Sequence, residues 1–247
     1  MLRALRCDLH IHSCLSPCAD LDMYPRALIE KSINEKLDVI AVCDHHASEN
    51  VEYVLNLAKG KPLTVLPGME ISSIEEVHLL ALFDHLPNLL DLQKIIYEHL
   101  PGKNQEDIFG CQVIVNDLDE VEGMNERLLI GATQLPLHDI INHIHSLGGL
   151  AIASHIDRPS YSVISQLGFI DPDMPFDALE ITPATGIRQA RKRYPELSAF
   201  AFIESSDAHY IHDIGRGFST IFMEAGNTRE LKRAFGNRDG RYIKTEA

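Results

Sequence analysis

Short apolar runs alternate with amphipathic stretches along this 247-residue chain. The runs predict strands at residues 6–12, 38–43, 63–71, 77–83, 149–154, 177–181 and 199–204. Helical periodicity between most of them predicts helices at about 23–36, 48–59, 88–100, 136–147, 184–194 and 227–235. The stretch 136–147 is the clearest: Leu137, Ile140, Ile141, Ile144 and Leu147 form one stripe, and Gly148 is a natural stop. The last helix opens with Asn227-Thr228-Arg229-Glu230, a capping-box pattern with Asn as the cap. Repeated βα units imply an α/β fold with a mostly parallel sheet, either doubly wound or closed into a barrel. No repeat, low-complexity tract or linker divides the sequence, so a single domain over residues 1–247 is expected. Residues 101–135 are the least regular. The polar, acidic stretches 101–107 and 116–127 suggest a surface excursion or a lid.

A chain that is 45% hydrophobic can bury a full core. It has no apolar run long enough for a membrane span, and Met1-Leu2-Arg3-Ala4-Leu5-Arg6 lacks the apolar stretch of a signal peptide. An odd set of five cysteines does not resemble a disulfide framework, so reduced thiols and a cytoplasmic location are expected, with no membrane partner. The balance of 22 basic against 36 acidic residues gives −14. That charge argues against tight binding to long nucleic acid, which depends on many Lys and Arg contacts to phosphate. It leaves a small phosphorylated substrate open, a nucleotide included.

Thirteen histidines are many for this length, and most stand near predicted strand ends. Strand-like alternation in Cys7-Asp8-Leu9-His10-Ile11-His12-Ser13 would put Asp8, His10 and His12 on one face and Leu9 and Ile11 on the other. Alone, His10-Ile11-His12 reads equally as structural histidines or as metal ligands. Recurrence at later strands favours the metal. Asp44-His45-His46 follows the second strand and Gly68-Met69-Glu70 ends the third. The fourth holds Val77-His78, the fifth leads to Ser154-His155-Ile156-Asp157-Arg158, and the seventh to Ser206-Asp207-Ala208-His209. Glu180 ends the sixth, facing either the site or a nearby Arg. In βα barrels the active site is built at the C-terminal ends of the strands. Imidazole and carboxylate donors suit zinc, manganese or iron. Their number exceeds one ion, and a shared carboxylate bridging two ions makes a clamp for phosphoester hydrolysis.

These motifs resemble the PHP family, named for its polymerase and histidinol-phosphatase members. The resemblance spans almost the whole chain and implies a distorted seven-stranded (β/α)7 barrel with two or three divalent metal ions at its mouth. It implies a first metal held by His10, His12, Glu70 and Asp207, and a second sharing Glu70 with His78 and His155. A third would take His45 and His209. Relatives complete that third site with a further His or Asp, where this chain has Pro17 and Cys18; Cys18 either ligates as a thiolate or is a neutral thiol. Arg158 stands where related phosphatases carry an Arg, and a guanidinium suits phosphate oxygens. His46 and Arg188 are further substrate-binding candidates. Asp44 is expected to orient His45 or another ligand.

The function these residues imply is a metal-dependent phosphoesterase. A metal-activated hydroxide would attack the phosphate ester of a small metabolite or nucleotide, with Glu70, Asp207 and His209 as catalytic groups. Exonuclease-like trimming of oligonucleotides and a non-catalytic, metal-stabilised binding or regulatory module are the alternatives.

Overall fold

The computed structural model describes residues 1–245. In chain order its strands are β1 (Arg3–Ile11), β2 (Val39–Val42), β3 (Thr64–Ser72), β4 (His78–Leu82), β5 (Val113–Val115), β6 (Val121–Met124), β7 (Leu150–Ala153), β8 (Ala178–Ile181), β9 (Phe202–Glu204), β10 (Ser219–Met223) and β11 (Tyr242–Ile243). The helices are α1 (Pro25–Asn34), α2 (Val51–Ala58), α3 (Leu86–Glu98), α4 (Glu106–Phe109), α5 (Leu137–Ser146), α6 (Val163–Leu167), α7 (Gly186–Arg193) and α8 (Thr228–Phe235). All seven predicted strands and all six predicted helices form. In α8, Asn227 accepts the Glu230 N–H at 2.8 Å, half of the predicted capping box.

One sheet of nine strands runs β11-β10-β1-β2-β3-β4-β7-β8-β9. Seven of these, from β1 to β9, are the predicted staves, and they curl until Ala208, just past β9, bridges Ile11 of β1. The His12 N–H donates to the Ala208 carbonyl at 3.0 Å across this seam. The α/β barrel class is therefore as expected, with β10 and β11 added antiparallel on the far side of β1.

The sheet departs from the mostly parallel expectation at β4, which is antiparallel to both β3 and β7. Only residues 73–77 join β3 to β4, long enough for a hairpin and too short for a crossover. The reversal puts His78 at the start of its strand yet at the same barrel end as Glu70. The site is thus not built from C-terminal strand ends alone.

Alternation sorts the core into two layers. Inside the barrel, Leu5, Cys7, Leu9, Ala41, Cys43, Leu66, Leu80, Leu82 and Ile152 pack together over Leu231 and Phe235 of α8. Outside it, Val42, Ile71, Leu79, Ala81 and Ala153 meet Leu28, Val54, Leu92 and Ile144 of the surrounding helices. On β1 the expected single alternation fails. The register against β2 shifts between Asp8 and Ile11, so Leu9 lies in the inner layer and Ile11 in the outer one. Asp8 consequently leaves the histidines; its carboxylate accepts from the Ser206 and Gly215 N–H groups at 2.9 and 3.1 Å.

Within residues 101–135 the chain forms the short α4 and the β5–β6 hairpin, with irregular segments between and around them. The buried Asn50 side chain fastens this segment to the site. Its amide donates to Ser13 Oγ at 2.9 Å and to the Val113 carbonyl at 3.1 Å, and its oxygen accepts from the Val115 N–H at 3.0 Å.

Gly68 separates the apolar floor from the polar mouth. A Cβ there would lie 2.6 Å from Cys43 Sγ and 2.9 Å from the Val42 carbonyl, so backbone would have to move. Gly68→Ala is expected to destabilise the fold by about 1–3 kcal/mol. Urea denaturation checks this, and an unchanged midpoint contradicts the close approach.

Candidate metal centre

Above the inner apolar layer the barrel interior turns polar. Glu70 of β3 lies at its centre, buried, with five imidazoles around its two oxygens. His78 Nδ1 is 3.1 Å away, His45 Nδ1 3.2 Å, His155 Nε2 3.3 Å, and His10 Nε2 and His12 Nε2 3.5 Å each. Asp207 Oδ1 joins them at 3.2 Å from His12 Nε2 and 3.3 Å from His10 Nε2.

The hydrogen-bond network fixes which ring nitrogens face inward. His10 Nδ1 donates to Glu180 Oε2 at 3.0 Å, which leaves its Nε2 lone pair pointing at Glu70. Ser16 Oγ gives its proton to Asp44 Oδ1 at 2.7 Å and must accept from His12 Nδ1 at 2.9 Å, so the His12 Nε2 lone pair also points inward. His209 Nδ1 donates to the Asp207 carbonyl at 2.9 Å, freeing its Nε2. The two inward nitrogens of His10 and His12 stand 3.1 Å apart. Two lone pairs at that distance repel, and a cation between them removes the conflict.

Protonation follows the same logic. Burial alone would depress the His10 imidazole, but the facing carboxylates Asp207, Glu180 and Glu70 outweigh it and push it well above the ordinary range. Burial, reinforced by His209, pulls His12 down to about 3. Burial likewise holds His45 well below its usual value. Burial works to raise Glu70 and Asp207; the imidazoles (His78 and His10 for Glu70, His10 and His12 for Asp207) win and keep both ionised. His12 and His45 are thus held neutral beside two ionised carboxylates, the protonation states that metal binding requires.

The donor set fits divalent ions. Three trios have donor atoms within 4.8 Å of one another: His10, His12 and Glu70; His45, Glu70 and His78; and His12, His45 and His209. Asp207 Oδ1, buried and without a hydrogen bond, completes the first. The partition differs from the expected one, since His45 groups with Glu70 and His78 as well as with His209. His155 reaches Glu70 but lies outside the trios. Cys18 is exposed and also outside them.

His45, Glu70, His78, His155, Asp207 and His209 line a cavity of about 170 Å³ together with His46, Leu129, Ile130, Arg158 and Tyr161, with His10 and His12 outside its lining. Arg158 is 42% exposed at its mouth, with Nη2 2.6 Å from Asp207 Oδ2. His46 Nε2 donates to the Gly131 carbonyl at 2.8 Å and so ties the 101–135 segment to the rim. Arg188 does not reach this cavity; it lines a separate depression with Lys192 and Lys244, because α7 carries it down the outside of the barrel. His155, Asp207 and His46 hold positive φ angles of 29°, 49° and 57°. Such backbone in non-glycine residues persists only where surrounding contacts impose it.

One support, Ser16, has no signal in the sequence pattern. Ser16 links Asp44 to His12 and also accepts the His45 N–H at 3.2 Å, so Asp44 acts on both ligands through it. Of the two readings left open for Glu180, the site-facing one holds. It carries His10 and also accepts the His155 N–H at 3.0 Å. The alternation of β8, with Ala178 inward, was the available signal for Glu180.

No protein-family model matches the chain. It is 23% identical over 242 residues to the uncharacterised protein YqxK of Bacillus subtilis (strain 168), covering 88% of this chain and 56% of that protein. Among solved structures it is similar to the lesion-specific endonuclease Q of Pyrococcus furiosus, with a TM-score of 0.74, 18% identity, and coverage of 98% of this chain and 58% of that one. A complex of endonuclease Q with a 27-mer duplex substrate, an abasic lesion at its active site, matches equally well. A Bifidobacterium adolescentis protein, provisionally described as a metal-dependent phosphoesterase, matches with a TM-score of 0.59 and 17% identity over 85% of this chain and 89% of its own. At these identities the likeness shows the fold. The chain spans a little over half the length of YqxK and of endonuclease Q.

One sequence expectation is overturned. The −14 charge argues against tight binding to long nucleic acid, yet a protein of this fold takes a 27-mer duplex at its active site. Net charge sums the whole surface, whereas phosphate contacts depend on local groups and on bound cations. Among the described residues no helix is long and apolar enough to cross a membrane.

Glu180→Gln cannot hold His10 and the His155 N–H as the carboxylate does. It is expected to lower zinc affinity about 10- to 100-fold with the fold intact. Competition with a chromogenic chelator measures this; wild-type affinity would contradict the assigned tautomer.

Proposed function

We propose that the chain is a metal-dependent phosphoester hydrolase and that its substrate is a phosphodiester in a nucleic-acid strand. The observation that carries the first part is the convergence of the His10 and His12 Nε2 atoms, 3.1 Å apart, on Glu70 and Asp207. The PHP-like motifs and the likeness to endonuclease Q support it. Divalent zinc, manganese or iron would supply Lewis-acid stabilisation of phosphoryl oxygens and a water of lowered pKa.

The chain's own residues do the positioning. His10, His12, Glu70 and Asp207 would hold one ion, while Glu70, His78, His45 and His155 would hold a second. Glu180 and the Asp44–Ser16 pair keep the His10 and His12 rings turned inward. Arg158, at the mouth, presents a guanidinium to a phosphoryl oxygen. His209, with Nδ1 engaged by the Asp207 carbonyl, keeps its Nε2 lone pair for a third ion or to take the proton that the attacking water loses and pass it to the leaving oxygen.

Cavity size bears on the substrate. Pockets that enclose a whole small molecule measure about 300–1,000 Å³, against about 170 Å³ here. A phosphoryl group fits and the rest of the substrate stays outside, as a strand lying across the mouth would.

Manganese- or zinc-loaded protein is expected to hydrolyse bis(p-nitrophenyl) phosphate and to cut a labelled oligonucleotide. Chelation should abolish both, and Glu70→Ala should lower both by more than about a hundredfold. Turnover of p-nitrophenyl phosphate alone would contradict the substrate class. No turnover with any metal would contradict the enzyme reading in favour of a binding module.

A further inference from the structure

Tyr161 is not used by any step above, yet it stands at the mouth of the same cavity as Arg158. Its backbone is left-handed, with φ 57°, a conformation that costs a bulky residue of order 1–3 kcal/mol. The loop around it is built to hold that shape. The Tyr161 carbonyl accepts the His78 N–H at 2.9 Å, and Ser162 Oγ donates to the Arg158 carbonyl at 2.8 Å. Ser162 also caps α6 through a reciprocal pair with Ser165. One face of the Tyr161 ring lies on His78, centroids 4.7 Å apart and planes 24° from parallel. The residue nevertheless remains 47% exposed. Ile130, 43% exposed, adds a second apolar surface to the same mouth.

A tyrosine serving only to cover His78 would not need strained backbone and a ring left open. An open aromatic face fixed beside a phosphoryl-sized cavity is what a planar base needs when its own phosphate is inside. Resting on the phosphoester reading, we infer that Tyr161 is a specificity-determining residue: the base of the nucleotide whose phosphate enters the cavity stacks on its open face. The residue would favour nucleotidyl esters over sugar phosphates and tolerate any base, because every base offers a π-face.

Calorimetric titration of manganese-loaded protein with adenosine 5′-monophosphate and with ribose 5-phosphate isolates the base, since the ester and sugar are shared. Wild type is expected to bind the nucleotide about tenfold more tightly. Tyr161→Phe should keep that preference and Tyr161→Leu should abolish it, with metal content measured in each variant to confirm that His78 still ligates. Equal wild-type affinities, no binding of either compound, or a preference that survives Tyr161→Leu would overturn the inference. Hydrolysis of bis(p-nitrophenyl) phosphate by the same wild-type preparation reports on the phosphoester reading separately, since it requires no base.

Discussion

Two buried imidazole nitrogens turned towards each other, with two carboxylates beside them, are the constraint round which the rest of the molecule is arranged. Neither ring can rotate away. His10 is held from behind by Glu180, and His12 by Ser16, itself committed to Asp44. Buried polar groups without partners cost free energy, so such an arrangement persists because something positively charged is meant to lie between the nitrogens. A proton on His10 meets the need minimally. Divalent ions meet it together with the unsatisfied Asp207 oxygen and the crowd of imidazoles round Glu70.

The fold meets this demand by local departures from regular structure. The register shift in β1 lets His10 face the interior just above Leu9, where strict alternation would turn it outward. The reversed β4 brings His78 to the same end as Glu70. Left-handed backbone at His155 and Asp207 aims those side chains back over the barrel, and Glu180 stabilises the first by accepting its N–H. Each irregularity sits next to a donor, in keeping with strain being concentrated where function requires it.

Much of this was legible in the sequence because burial leaves a period. Ile40, Val42 and Ile71 mark strands, Leu137 to Ile144 mark a helix, and the His and carboxylate residues cluster at run ends. What periodicity hides is direction and register. A strand reads the same both ways, so the reversal of β4 depended on noticing that residues 73–77 cannot make a crossover. The β1 shift adds one residue without any Gly or Pro to announce it, and Asp8 was therefore placed with the wrong neighbours. The β5–β6 hairpin was lost because its residues, such as Glu120 and Glu122, are polar and its partners, such as Asn50, lie far off in sequence. Charge misled for a different reason: a whole-chain sum carries no information about one mouth.

The account stands or falls on whether cations belong between His10 and His12. Elemental analysis of protein reconstituted with zinc and freed of excess metal by gel filtration tests it most directly. The account predicts at least about two equivalents per chain, retained through the column. Protein that folds normally yet elutes without zinc would contradict it.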